Sequence, residues 1–139
     1  MSDIKYPYPV EIYMHWGDQD ALGHLNNVMF IRYFETSRIH MMGVTNIWQE
    51  FENKGMYFVL GKIECNYIKS VHFPQKLIVQ CGLISIGNTS ITVNHQMLKK
   101  DTGELVADGI GIMVCLDQKT GKPARIPDDI RKLIHEKLM

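Results

Sequence analysis

Between residues 8 and 16, apolar Val10, Ile12, Met14 and Trp16 alternate with Glu11, Tyr13 and His15. A period of two predicts a strand. The period then lengthens. From about 27 to 42 the apolar positions Val28, Ile31, Phe34, Ile39 and Met42 recur close to three-and-four spacing, with Arg32, Glu35, Thr36 and Arg38 largely between them. That pattern predicts a long amphipathic helix. Asn26 or Asn27 suits its N-cap and Gly43 its terminator. A second helical piece, about 46–53, carries Ile47, Trp48 and Phe51 and stops at Lys54-Gly55.

Beyond Gly55 the pattern predicts four long strands, at 57–70, 76–86, 90–100 and 105–117. Phe73-Pro74-Gln75, Gly87-Asn88-Thr89 and Asp101-Thr102-Gly103 divide them as turn signals. The last two joints are short, so those neighbours are predicted to pair as antiparallel hairpins. Gly121, Pro123 and Pro127 end the pattern, and residues 127–138 read as a closing helix with Asp128 and Asp129 in its first turn. The order is an α+β layer design, with the long helix on one face of an antiparallel sheet. One helix leaves such a sheet's edges and other face uncovered, so self-association is expected.

Composition changes this picture little. The 139 residues suit one domain spanning 1–139, able to bury about 65–70% of its unfolded surface. Fifteen basic residues balance fifteen acidic ones, so no global field favours nucleic acid or an anionic membrane. No apolar run approaches the roughly 20 residues that span a bilayer. The first residues, Met1-Ser2-Asp3-Ile4-Lys5-Tyr6-Pro7, lack the basic and apolar regions of a signal peptide, which leads to the expectation of a cytoplasmic protein. Cys65, Cys81 and Cys115 are far apart, odd in number, free of C-x-x-C spacing and set in apolar strand-like runs. They read as buried reduced thiols, with no metal site.

Candidate chemistry is concentrated at Asp18-Gln19-Asp20-Ala21-Leu22-Gly23-His24-Leu25-Asn26-Asn27, immediately before the predicted helix. Two carboxylates, an imidazole, a glycine and two carboxamides lie beside a helix N-terminus, where unpaired N–H groups and the helix dipole suit a polarised carbonyl oxygen. A carboxylate next to such a site supplies what acyl transfer needs: a base or nucleophile, and a place for the oxyanion.

The stretch from Trp16 to Asn27 fits W/Y-x-D-x-D-x-x-G-H-x-N-N, and Tyr33-Phe34-Glu35 with Arg38 follows on the helix. With Glu64-Cys65-Asn66-Tyr67 before Pro74, Ile86-Gly87-Asn88-Thr89-Ser90, and Arg125-Ile126-Pro127 before the last helix, the chain resembles the hotdog-fold acyl-CoA thioesterases of the 4-hydroxybenzoyl-CoA thioesterase-like group over nearly its whole length. The resemblance implies a long helix wrapped by a curved antiparallel sheet, and a homodimer or a homotetramer of paired dimers with active sites between subunits. It places Asp20 at the family's catalytic carboxylate. It places Asn27 at the position whose backbone N–H polarises the thioester carbonyl. Some relatives carry histidine or tyrosine where this chain has Asn27, so a side-chain acid–base role there is in doubt.

The implied reaction is hydrolysis of an acyl-CoA, or of an acyl group on an acyl carrier protein, with no cofactor. Asp20 either activates a water or attacks directly to give a mixed anhydride. Gly23 fits a tight turn against the substrate, His24 positions substrate or organises the loop, and Val59, Leu60 and Gly61 suit an acyl pocket. Val59-Leu60-Gly61-Lys62 also reads as a plain strand with a bulge at Gly61. Asp18 reads as a loop-holding residue. Glu35 and Arg38, three apart on the helix, suit a solvated or interface ion pair. Lys62, Lys69 and Arg125 could meet coenzyme A phosphates, but each reads first as an ordinary surface cation. The rival readings are a non-catalytic acyl-CoA-binding hotdog module and, on weaker grounds of spacing, a hotdog dehydratase.

Overall fold

The computed structural model describes residues 3–139. Strand β1 (Val10–Tyr13) leads through a 3-10 turn at Trp16–Asp18 to helix α1 (Asn27–Val44) and the short α2 (Ile47–Asn53). Strands β2 (Met56–Ile63), β3 (Asn66–Tyr67), β4 (Lys76–Ile86), β5 (Ser90–Lys99) and β6 (Leu105–Asp117) follow, and α3 (Asp128–Leu138) closes the chain. The sheet runs β1-β4-β5-β6-β2, with β3 also on β6, and every pairing is antiparallel. Register shifts at Leu60/Lys62, Leu83/Ser85 and Met97/Leu98 insert the bulges that let long strands curl.

Strand β5 shows how the sequence sets the layers. Its residues alternate buried and half-buried, so Ile91, Val93, His95 and Met97 share the face under the helices. Helix α1 buries Phe30, Phe34, Met41 and Met42 against that side. The core divides in two along the helix. Near its start, Phe30, Phe34, Leu77, Val79 and Met97 pack together. Near its end, Met41, Ile47, Phe51, Ile91 and Ile130 do so.

The α+β layer design predicted from the sequence is present, and three local readings change. Strand β1 is shorter than the alternating run, because the chain turns at Trp16 into the 3-10 segment. The run at 57–70 is two strands, since β2 ends at Ile63 and β3 rejoins β6 only at Asn66. Gly43 lies inside α1, which continues to Val44. The Thr45 N–H and hydroxyl both bond the Met41 carbonyl and close the last turn there.

Candidate functional site

The chain before α1 is held by its own polar groups. The Asp20 N–H donates to the His24 carbonyl at 2.7 Å, and the Gly23 N–H to the Asp20 carbonyl at 3.1 Å. Gly23 adopts φ +81°, the left-handed region where a side chain is strained. Inside this turn the Asp20 carboxylate accepts two backbone N–H groups on the same oxygen, Oδ1: from Leu22 at 2.9 Å and from His24 at 3.0 Å. The His24 N–H, then that of Leu22, holds the Asp20 carboxyl below the usual aspartate range, so the group is ionised at neutral pH.

Three further ties fix the loop to the helix and the sheet. The Asn26 N–H donates to the Asp18 carbonyl at 2.9 Å, and the Leu25 N–H to the Val71 carbonyl at 2.7 Å. Asp18 Oδ2 accepts from the His15 N–H at 3.1 Å and from the Tyr33 hydroxyl. Burial, then the bond to Asp18, raises the Tyr33 phenol's pKa, so it stays a donor. The His24 ring meets His72 edge-on, with centroids 4.7 Å apart. Asn26 is the N-cap of α1, its side-chain oxygen accepting from the Val28 N–H at 3.0 Å. Asn27 is the first helical residue. Among the described residues its N–H has no acceptor, as expected in a helix's first turn, while its carbonyl accepts from the Tyr67 hydroxyl at 3.2 Å.

Asp20, Gly23, His24 and Asn27 therefore lie in one structural unit at the start of α1. Val59 and Leu60 do not join them within the chain. They line a cavity of about 250 Å³ beside the second half of α1, with Arg38, Ile39, Met42 and Phe58. From Asn27 to Arg38 the helix rises roughly 16 Å at about 1.5 Å per residue. Gly61 sits at the register shift of β2, so the bulge reading of that strand holds.

Arg38 differs from its reading as a partner of Glu35. Glu35 pairs with Arg32 at 3.6 Å, whereas Arg38 is only 6% exposed and its Nη1 lies 3.2 Å from Nε2 of His95. His95 is fully buried, with Phe34 stacked on its ring at 4.7 Å. Burial and then the Arg38 charge lower the His95 pKa to about 3, so the imidazole is neutral and Nε2 accepts. Its other nitrogen, Nδ1, has no partner. Gly111 makes room for the ring, since a Cβ there would come within 2.8 Å of His95 Cε1.

The sequence pattern carried a signal for this cluster: a histidine occupying the apolar phase of Ile91-x-Val93-x-His95-x-Met97. Lys62, Lys69 and Arg125 are engaged with Glu64, Glu104 and Asp128 respectively. Among the described residues, no three His, Cys, Asp or Glu side chains are grouped to hold a metal, and no helix is long and apolar enough to cross a membrane.

Comparison with known proteins brings these features together. The model of the thioesterase-like superfamily matches residues 14–134. The chain is 22% identical to the long-chain acyl-CoA thioesterase FadM of Escherichia coli over 117 residues, 84% of this chain and 89% of that one. Its fold superposes on the YbaW protein of Escherichia coli with a TM-score of 0.87, at 20% identity, covering 95% of this chain and 99% of the other. It also superposes on a Thermus thermophilus thioesterase solved with coenzyme A and zinc, with a TM-score of 0.79 at 27% identity, covering 94% and 98%. With a family match over most of its length and a long helix packed on a curled antiparallel sheet, the chain belongs to the thioesterase-like superfamily: it is a hotdog-fold thioester hydrolase.

Proposed function

We propose that this protein hydrolyses acyl-CoA thioesters to a carboxylic acid and free coenzyme A, with Asp20 as the reacting carboxylate and the Asn27 N–H as oxyanion donor. The observation that carries the reading is the Asp20 turn. Two backbone N–H groups on Oδ1 keep the carboxylate ionised and fixed, which leaves Oδ2 as the oxygen to act. As a general base, Asp20 takes a proton from water as the water oxygen adds to the thioester carbonyl. The adduct then collapses with breakage of the C–S bond, and the proton passes to the departing coenzyme A thiolate. As a nucleophile, it adds directly, expels the coenzyme A thiolate, and leaves a mixed anhydride for water to cleave. In either route the charge on the carbonyl oxygen develops at the start of α1. One preorganised donor there is typically worth roughly 10²–10³ in rate.

Gly23 keeps the turn tight and His24 orders the loop beside the thioester. Val59, Leu60 and Gly61 shape the acyl pocket. Their separation from Asp20 along α1 supports a site completed by a second copy of the chain, in a homodimer or a dimer of dimers. Coenzyme A bound to the Thermus thermophilus relative supports a pantetheine-borne substrate, a description that an acyl carrier protein also meets. Three unpaired cysteines, two of them buried, support a reducing compartment such as the cytoplasm.

The test is thiol release from short, long, branched and aromatic acyl-CoA esters by wild type and Asp20→Asn. Asparagine keeps an oxygen for the Leu22 and His24 N–H groups and removes only the charge. The expected loss in kcat/KM is roughly 10²-fold or more. A variant with wild-type rates would remove Asp20 from the mechanism. A wild type that binds these esters without releasing thiol would make the domain a binding module.

A further inference from the structure

We propose that the cavity beside the second half of α1 receives an acyl group whose far end carries a carboxylate, and that Arg38 is the residue that selects it. The kinetic arm of this proposal rests on the thioesterase reading above; its binding arm does not.

Arg38 carries a buried charge that no ion pair among the described residues meets. A guanidinium has five N–H donors and is protonated in any protein environment. Arg38 is 6% exposed, and among the described residues its one hydrogen-bond partner is the neutral ring of His95. Removing a charge from water is expensive unless a counter-charge and further hydrogen bonds replace the solvent. No carboxylate among the described residues pairs with Arg38 directly; the Glu35 charge acts on it only through space. Burial pushes the neighbouring Cys81 thiol up to about 12, so it carries no charge, and His95 is neutral. Glu35, the one carboxylate in the cavity lining, lies 3.6 Å from Arg32 in an exposed ion pair and makes no hydrogen bond to Arg38.

The remaining walls of this space are mostly hydrocarbon or aromatic: Ile39, Met42, Phe58, Leu60 and Met113 among them. At about 250 Å³ the space suits a short chain, for which eight-carbon probes serve. A ligand that satisfies both features has an apolar body and an anionic oxygen pair at its end, which a guanidinium fork binds in bidentate fashion. A methyl-ended chain of the same length fills the cavity but excludes water from Arg38 without replacing it. Discrimination against that chain follows from leaving a buried polar group unpaired, and about tenfold or more is expected.

The first arm measures thermal midpoints of the wild-type chain with octanoate and with octan-1-ol, which share a tail and differ in charge. Octanoate raises the midpoint more than octan-1-ol does, and Arg38→Met removes the difference. The second arm compares octanoyl-CoA with the mono-CoA thioester of octanedioic acid. Wild type favours the carboxylate-ended ester by about tenfold or more in kcat/KM, and in Arg38→Met that ratio falls to about one or inverts. Arg38→Lys, which keeps the charge and loses the fork, gives an intermediate ratio. It also serves if the methionine variant does not fold, as does the wild-type comparison alone. Equal midpoint shifts from the two eight-carbon ligands would overturn the proposal, and so would a ratio unmoved by Arg38 substitution. A carboxylate-dependent shift without thiol release from any ester would sink the thioesterase reading and leave the Arg38 site standing.

Discussion

The two ends of helix α1 hold charge in opposite ways. At its start, Asp20 is in reach of water, and its negative charge is stabilised by backbone N–H groups of its own turn. Toward its end, Arg38 is buried, and its positive charge leans on one neutral imidazole. The first arrangement is satisfied within the chain and ready to act on something brought to it. The second has no ion-pair partner among the described residues. The roles proposed for them, a reacting group before α1 and a recognition group within it, predict that the two ends respond differently to substitution.

The largest expected effect is on stability at the buried end. Phe34 is fully buried and stacks on His95, so Phe34→Ala opens a cavity over the Arg38–His95 pair. Such truncations cost about 3–5 kcal/mol, which urea unfolding would read directly. By contrast, Asp20→Asn keeps an acceptor for both turn N–H groups and loses only the charge, so it should lower the unfolding midpoint far less than Phe34→Ala while activity collapses. If Phe34→Ala proved as mild in stability as Asp20→Asn, the two ends would not differ in the way described.

The same contrast explains what was legible in the sequence. The loop at 18–27 announces itself because its hydrogen bonds are local. An aspartate four residues before His24, a glycine in the turn and an asparagine cap are all visible as spacing. The long helix and the strand pairs followed from periodicity for the same reason. Arg38 was read as a partner of Glu35 because i, i+3 spacing is the only information a linear pattern offers for it. Its actual partner, His95, is 57 positions away and reaches it only through the sheet register that puts β5 under α1. The break at Glu64-Cys65 and the continuation of α1 past Gly43 were missed on similar grounds. Each depends on what lies across from the segment: β6 in the first case and the Thr45 bonds to Met41 in the second.

The next effect is pH dependence, and it belongs to His95. Its folded-state pKa lies at about 3 against an ordinary 6.5. Between those values the unfolded chain binds a proton that the folded chain refuses. Stability therefore rises with pH through this window and is lost as pH falls from about 6.5, at about 1.4 kcal/mol per unit. Asp20 acts lower: its depressed pKa makes its contribution present above the ordinary carboxylate range and lost only as pH falls below it. Urea midpoints of wild type and His95→Gln between pH 6.5 and 5 should separate the two. Glutamine preserves an acceptor for Arg38 and cannot titrate, so the variant's slope is flatter. Parallel curves would show that the buried imidazole is not the origin of the acid sensitivity.

The smallest effect tests whether the start of α1 is catalytic or merely tidy. Asn26→Ala removes the side-chain oxygen that accepts the Val28 N–H, and loss of an N-cap costs about 1 kcal/mol. A structural cap would be felt in the unfolding midpoint and nowhere else. If the Asn27 N–H receives the oxyanion, fraying of this first turn also displaces the donor. kcat should then fall several-fold with KM little changed, because the interaction exists only in the transition state. Asn26→Asp keeps the acceptor and adds a negative charge at the positive end of the helix dipole, so it should recover the midpoint. It also brings that charge close to where the oxyanion forms, so its kcat should recover less. A kcat unchanged in Asn26→Ala, with the midpoint lowered as expected, would leave Asn26 a cap and remove the reason to place the oxyanion at Asn27.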